Sequence, residues 1–352
     1  MPFASRNQPF STIYTIVKVV YTLAALPVWF ALDAMPAARP RKSWPLKRAL
    51  IAHIARTYVD MLFQTSLPAP VPSATYERDA KALGFVWVPA ATPELVVGEV
   101  GHLAQQNGVT AERVGGFWYG PRDSNGNVGQ RAVAGEKVVY HLHGGGHAVD
   151  ELCRPRRHWQ PRGYLHHLGL NFRMFMPEYR LSSAAPFEPA NPFPASLLDA
   201  IAGYRYLVED VGFDPRHIIL CACGDSAGER YRLQPRGTSR PRTCPPSPGP
   251  SSIVRNSRSD IVHGFLESGY TRGALVGNLP EETAATRMWI SPRALHAEWR
   301  PGMLSGFPRT VIVAGGAEYT WMGCTRCGIG WWRIMGRSGL RLSSPRMRCP
   351  TS

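Results

Sequence analysis

Two short apolar runs, each closed abruptly by small residues, constrain this chain more than anything else in it. Val138–Leu142 runs straight into His143-Gly144-Gly145-Gly146, and Ile218–Cys223 runs straight into Gly224-Asp225-Ser226-Ala227-Gly228. An apolar run of this length bounded by glycine reads as a buried strand. Glycines at its end mean a tight turn or a close backbone approach. The second motif is G-x-S-x-G, and after a strand this is the setting in which a serine is lifted out of a strained turn. The glycines of the first can aim backbone N–H groups at a developing oxyanion. Phe172–Met176 and Thr310–Ala314 read as further strands, and Leu197–Val208 has helical period. Strands alternating with helices predict a mostly parallel sheet. Phe117-Trp118-Tyr119 and Val138-Val139-Tyr140 flank the turn-prone Asp123-Ser124-Asn125-Gly126, which predicts a β-hairpin.

Composition narrows the class. The 352 residues are 44% hydrophobic and 18% charged, which excludes wholesale disorder and leaves ample chain for a core. The net charge is +15, but it is concentrated. Residues 229–250 hold five Arg and one Glu, and residues 320–352 hold six Arg and no acid. These Arg lie in Pro/Ser-rich or Gly/Trp/Cys-rich text without helical spacing, so no nucleic-acid partner is expected. Seven Cys without framework spacing argue against a disulfide scaffold. Cys324 and Cys327 form a CxxC, but only Cys349 follows and no His lies beyond position 296, so no metal is expected. Gly144-Gly145-Gly146 lacks the G-x-G-x-x-G pattern and a P-loop Lys, which removes a nucleotide-binding reading.

The N-terminal region is of another kind. Residues 12–32 contain one charge, Lys18, and are long enough to cross a bilayer. Arg39, Arg41, Lys42, Lys47 and Arg48 follow. If the segment spans once, this basic cluster keeps the downstream domain on the cytoplasmic side. A helix lying on the membrane surface is the alternative. Leu46, Leu50, Ile54, Tyr58 and Leu62 recur every four residues and predict an amphipathic helix, read as a packing face. Residues 1–65 are thus expected to be membrane-associated helices and part of a cap. Residues 66–75, with Pro68, Pro70 and Pro72, form a linker.

On these motifs the chain resembles the hormone-sensitive-lipase-like branch of the α/β-hydrolase fold superfamily, the fold-3 group of fungal type. Glu178-Tyr179-Arg180-Leu181, Asn191-Pro192-Phe193-Pro194-Ala195, Asp199-Ala200, Tyr204-Arg205-Tyr206-Leu207 and Phe213-Asp214-Pro215 resemble the segment ahead of its serine. Ser291-Pro292 and residues 306–318 resemble its later sheet region. The resemblance implies an α/β-hydrolase fold over residues 76–318, with helices on both faces of a mostly parallel sheet and a helical cap. It implies a serine esterase or lipase-like enzyme acting on a small-molecule or lipid ester, with no cofactor. Ser226 would be the nucleophile. The N–H groups of Gly145, Gly146 and Ala227 would form the oxyanion hole. Asp225 and His143 would support the loops, and Glu318 would be the triad acid. The cap would draw on residues 40–110 and part of 255–305, where Phe63, Phe85 and Trp87 suit an acyl or sterol-like group and suit a plain core equally.

The departures matter equally. The family's base is a His after the acid, and no His follows Glu318. After Gly228 the text reads ERYRLQPRGTSRPRTCPPSPGP, and Pro235 ends any helix within about two turns. One helix and one strand are therefore expected to be missing between 229 and 250. Residues 319–352 read as an atypical, disordered tail. Three expectations result: an impaired esterase, a catalytically dead membrane-associated binding protein on the same scaffold, or an active esterase whose coding sequence is mis-spliced at 229–250 and 319–352.

Overall fold

The computed structural model describes residues 3–67, 70–144, 172–222, 269–287, 290, 310–313 and 340–343, with scattered positions between 161 and 166. Within these residues the body is an α/β fold built on a five-stranded sheet. The strands are β1 (Phe85–Val88), β2 (Val114–Tyr119), β3 (Val138–Leu142), β4 (Arg173–Pro177) and β5 (Ile218–Ala222), in the order β1-β2-β4-β3-β5. β2 runs antiparallel to β1 and β4, whereas β3 runs parallel to β4 and β5. Four of the five strands therefore point the same way, as the apolar runs predict. Two further short strands, β6 (Thr310–Val313) and β7 (Leu340–Ser343), pair parallel with each other. β7 lies in the stretch read from sequence as a featureless tail.

The predicted hairpin across residues 123–126 is not formed. The turn itself exists: Asp123 Oδ1 accepts from the N–H groups of Asn125 and Asn127. Its flanking strands do not pair, because β4 lies between β2 and β3 in the sheet. Trp118 is level with Phe175, and Phe175 is level with Tyr140. Of the large apolar residues suited either to a pocket or to plain core, two lie in the sheet. Phe85 and Trp87 belong to edge strand β1, with Phe85 beside Phe117.

Side-chain alternation sorts the sheet into two faces. On one face Val138, Tyr140, Leu142, Trp118 and Phe175 pack with Leu197, Leu198 and Ile201 of helix α5 (Ala195–Arg205) and with Val100 and Leu103 of α4 (Gly98–Asn107). Tyr140 Oη donates to the Ala200 carbonyl at 2.6 Å. A Cβ on Gly203 would fall 2.5 Å from that hydroxyl, so only glycine lets α5 lie this close to the sheet. On the other face, Phe85 and Phe117 pack with Tyr76 and the short helix α3 (Ala80–Leu83). Asn107 joins distant segments: its amide donates to the carbonyls of Phe193 and Val276, and its oxygen accepts from Asn278 N–H.

Helices α1 (Phe10–Ala34) and α2 (Leu46–Gln64) form an antiparallel pair ahead of the body. Phe3 N–H donates to the Phe63 carbonyl, and Ser5 N–H to that of Gln64, so the chain enters and leaves the pair at one end. There Phe3 is fully buried against Phe187 and Tyr270, the latter opening α6 (Tyr270–Val276).

Candidate active site

The site is assembled at the carboxyl ends of two neighbouring strands. β3 and β5 are parallel and in register, with His141 beside Cys221 and Leu142 beside Ala222. Adjacent strands lie about 4.8 Å apart. In sequence the His143-Gly-Gly-Gly motif follows directly on β3, and the Gly-Asp-Ser-Ala-Gly motif begins two residues after Ala222, outside the described residues. β4 flanks β3 on the opposite side from β5, so the chain order reverses at this place. In open α/β sheets, ligands bind at such reversals, outside the carboxyl ends of the strands.

Of the site residues predicted from sequence, His143 is described. Gly145, Gly146, Asp225, Ser226, Ala227 and Glu318 lie outside the described residues. The atypical segment 229–250 lies outside them too, as does most of 319–352. His143 follows directly on β3 and is 3% exposed. Its ring stacks on Tyr179, with centroids 4.1 Å apart and planes 9° apart. Nδ1 lies 2.7 Å from the Gly144 carbonyl oxygen, so this nitrogen carries the proton and donates. Tyr179 Oη donates to the His143 carbonyl at 2.6 Å. Burial pushes the His143 imidazole down to about 4, against the bond to Gly144. The ring is therefore neutral at physiological pH, a fixed aromatic wedge with one committed N–H.

Two groups around it were not singled out for a role by sequence. His141 is fully buried on β3, and burial together with His143 takes it to about 4. Tyr179 stood within a segment noted for its resemblance, yet its clamp on His143 was not legible. A Tyr two residues past a strand has many structural uses, and only the fold brings these two rings together. The next residue anchors the same segment. Arg180 donates to Asp199 through Nε and Nη2 and through its backbone N–H, and reaches Glu112 and the Thr110 carbonyl. Burial pushes the Asp199 carboxyl up, and Arg180 opposes this. Among the described residues, no group of three or more His, Cys, Asp or Glu side chains is placed to hold a metal ion.

No protein-family model and no curated protein matches the chain. Solved structures do match. An esterase/lipase from an uncultured bacterium is 19% identical, covering 84% of this chain and 86% of that one, with a TM-score of 0.45. A hyperthermophilic esterase from the archaeon Pyrobaculum calidifontis is 15% identical over 84% and 88% of the two chains, with a TM-score of 0.49. A hormone-sensitive lipase from a metagenome library is 18% identical over 84% and 85%, with a TM-score of 0.42. At these identities and scores the likeness is one of fold outline, and the chemistry of this chain has to be argued from its own residues.

Proposed function

We propose that the chain is a serine carboxylic-ester hydrolase whose turnover is impaired. The observation that supports this best is the parallel register of Leu142 with Ala222, the strand residues that precede the two glycine-rich motifs in sequence. One motif brings a serine and the other brings free backbone N–H groups, the two components that acyl transfer requires together. Ser226 Oγ attacks the ester carbonyl, and the N–H groups of Gly145, Gly146 and Ala227 stabilise the oxyanion. The alcohol leaves, and water releases the acid from the acyl-enzyme. His143 and Asp225 hold the loops, and Glu318 is the acid. The 34 residues after Glu318 contain no His, so the serine proton passes to water instead of an imidazole. That loss costs several powers of ten in rate.

A second reading, a dead hydrolase scaffold that binds without cleaving, is favoured by that same missing His. Membrane association through α1 belongs to both readings: the helix has 25 residues and a mean hydropathy of 1.8 over its most apolar window. Treatment of the purified full chain with a fluorophosphonate probe separates the two. Slow labelling that disappears in Ser226→Ala supports the hydrolase, and no labelling of a folded chain supports the scaffold. Peptide mass spectrometry of the native protein covers the third possibility. Recovery of peptides from 229–250 and 319–352 as written excludes mis-splicing, and peptides carrying a late His in their place establish it.

A further inference from the structure

The N-terminal helix pair is built inside out. In α1 the less exposed residues recur at intervals of three and four: Ser11, Tyr14 and Thr15, Lys18, Thr22, Ala25 and Leu26, Trp29 and Asp33. This is heptad spacing, but most of these positions are polar. The outward face holds Ile13, Val17, Val20, Leu23, Val28 and Leu32, all about half exposed or more. In water the opposite arrangement is favoured, since apolar area removed from solvent drives packing. In hydrocarbon polar side chains turn inward and pair with one another.

The pairing is in place. Lys18 Nζ lies 2.6 Å from Asp60 Oδ2, and Tyr14 Oη donates to the same oxygen at 3.2 Å. Asp33, 2% exposed, meets His53 Nε2 at 3.1 Å, and His53 stacks on Trp29. Thr15 and Thr22 return their hydroxyls to carbonyls of their own helix. α2 follows the same rule. Its exposed residues are Ile51, Ile54 and Tyr58, with Lys47 and Arg48 at the end next to the turn and Arg56 half-buried midway along it; α1 is the one described helix apolar enough to cross a membrane by itself, so α2 would cross only as its partner. This revises the reading of α2 as an ordinary packing face, because Ile54 and Tyr58 of the predicted stripe point away from α1.

The charge distribution then fixes the ends. Between Asp33 and Asp60 the chain holds six Lys or Arg and no acid. Five of the six sit in or beside the connecting turn, residues 35–45. Arg39 closes that turn by donating to the carbonyls of Asp33, Ala34 and Trp44. At 1.5 Å per residue α1 is about 37 Å long and α2 about 28 Å, against a hydrocarbon core of about 30 Å.

We infer that α1 and α2 cross the bilayer together as a hairpin, placing the basic turn on the cytosolic side and the sheet body on the other. The inference deepens the membrane association proposed above and rests on it. It reverses the placement expected from a single span, because a second crossing separates the basic cluster from the body. The committed partner is a bilayer whose anionic headgroups meet the basic turn, as the positive-inside bias requires.

The test uses the full chain in sealed microsomes with a membrane-impermeant maleimide. Ser43→Cys reports on the turn and Ser124→Cys on the body, both exposed positions. Each is read as label gained over the parent chain. The expected result is labelling of the Ser43→Cys variant from outside the vesicles, and of the Ser124→Cys variant only after detergent. If both variants label, or both are protected, in a chain that resists alkaline carbonate, the two-helix crossing is overturned while membrane association stands. The reverse pattern overturns the cytosolic placement of the turn. Release of the chain by carbonate means that the membrane association itself fails.

Discussion

The sheet body and the helix pair solve opposite problems with the same residue types. In the body Phe175 is fully buried between Trp118, Tyr140 and Tyr206, and the buried charged groups Arg173 and Asp199 are paired with Glu136 and Arg180. In the helix pair Lys18 meets Asp60 and Asp33 meets His53 across the two helices, and the most exposed aliphatic residues belong to α1. The body matches an aqueous surrounding and the pair matches a lipid one. Composition alone does not separate them; which way each residue points does.

The comparison is sharpened first at the serine. Ser226→Ala is expected to reduce ester hydrolysis and fluorophosphonate labelling to background, whereas Leu23→Ala on the outer face of α1 leaves the rate per folded molecule unchanged; p-nitrophenyl ester assays in detergent measure both. Next is the core. Phe175→Ala is expected to cost about 3–5 kcal/mol in denaturant unfolding, and an equal cost from Leu23→Ala in detergent would break the contrast. Acid is the third probe. His141 and His143 sit near 4 rather than 6.5 because burial disfavours their charged forms. Between those values the unfolded chain binds protons that the folded chain does not. Stability is therefore full above about pH 6.5 and falls toward pH 4, by about 1.4 kcal/mol per pH unit for each histidine. His143→Gln should flatten the slope of stability against pH in that window. Gly203→Ala is a smaller effect, about 1–3 kcal/mol, because the added carbon meets Tyr140 Oη. The smallest belongs to the ion pair: Lys18→Met should change detergent stability by less than about 1 kcal/mol, yet reduce insertion into vesicles by leaving the Asp60 charge with only the Tyr14 hydroxyl against it.

The elements most legible in the sequence were those whose signal is local. β3 and β5 announce themselves as apolar runs ended by glycine, and α1 as a long apolar segment. The β2–β3 pairing was misread because the turn at Asp123 is a genuine local signal, whereas the strand that separates its flanks, β4, comes more than thirty residues later. β1 is not legible as a strand, since Phe85 and Trp87 suit a pocket and a core equally. At the site the motifs were visible, but the stacking of His143 on Tyr179 depends on two strands meeting. A usable signal was overlooked in α1. Ser11, Thr15, Lys18, Thr22 and Asp33 mark a polar stripe inside an otherwise apolar helix, which a search for apolar stripes passes over.

Phe3 docks against Tyr270, 267 residues further along the chain. At about 5–20 residues per second, a ribosome needs roughly ten to fifty seconds to get from one to the other. From residue 64 onward, most of that interval, both helices are complete while Tyr270 has not been made. On the crossing inferred above, the order of synthesis gives the helix pair to the bilayer first, and the clasp to the body closes last.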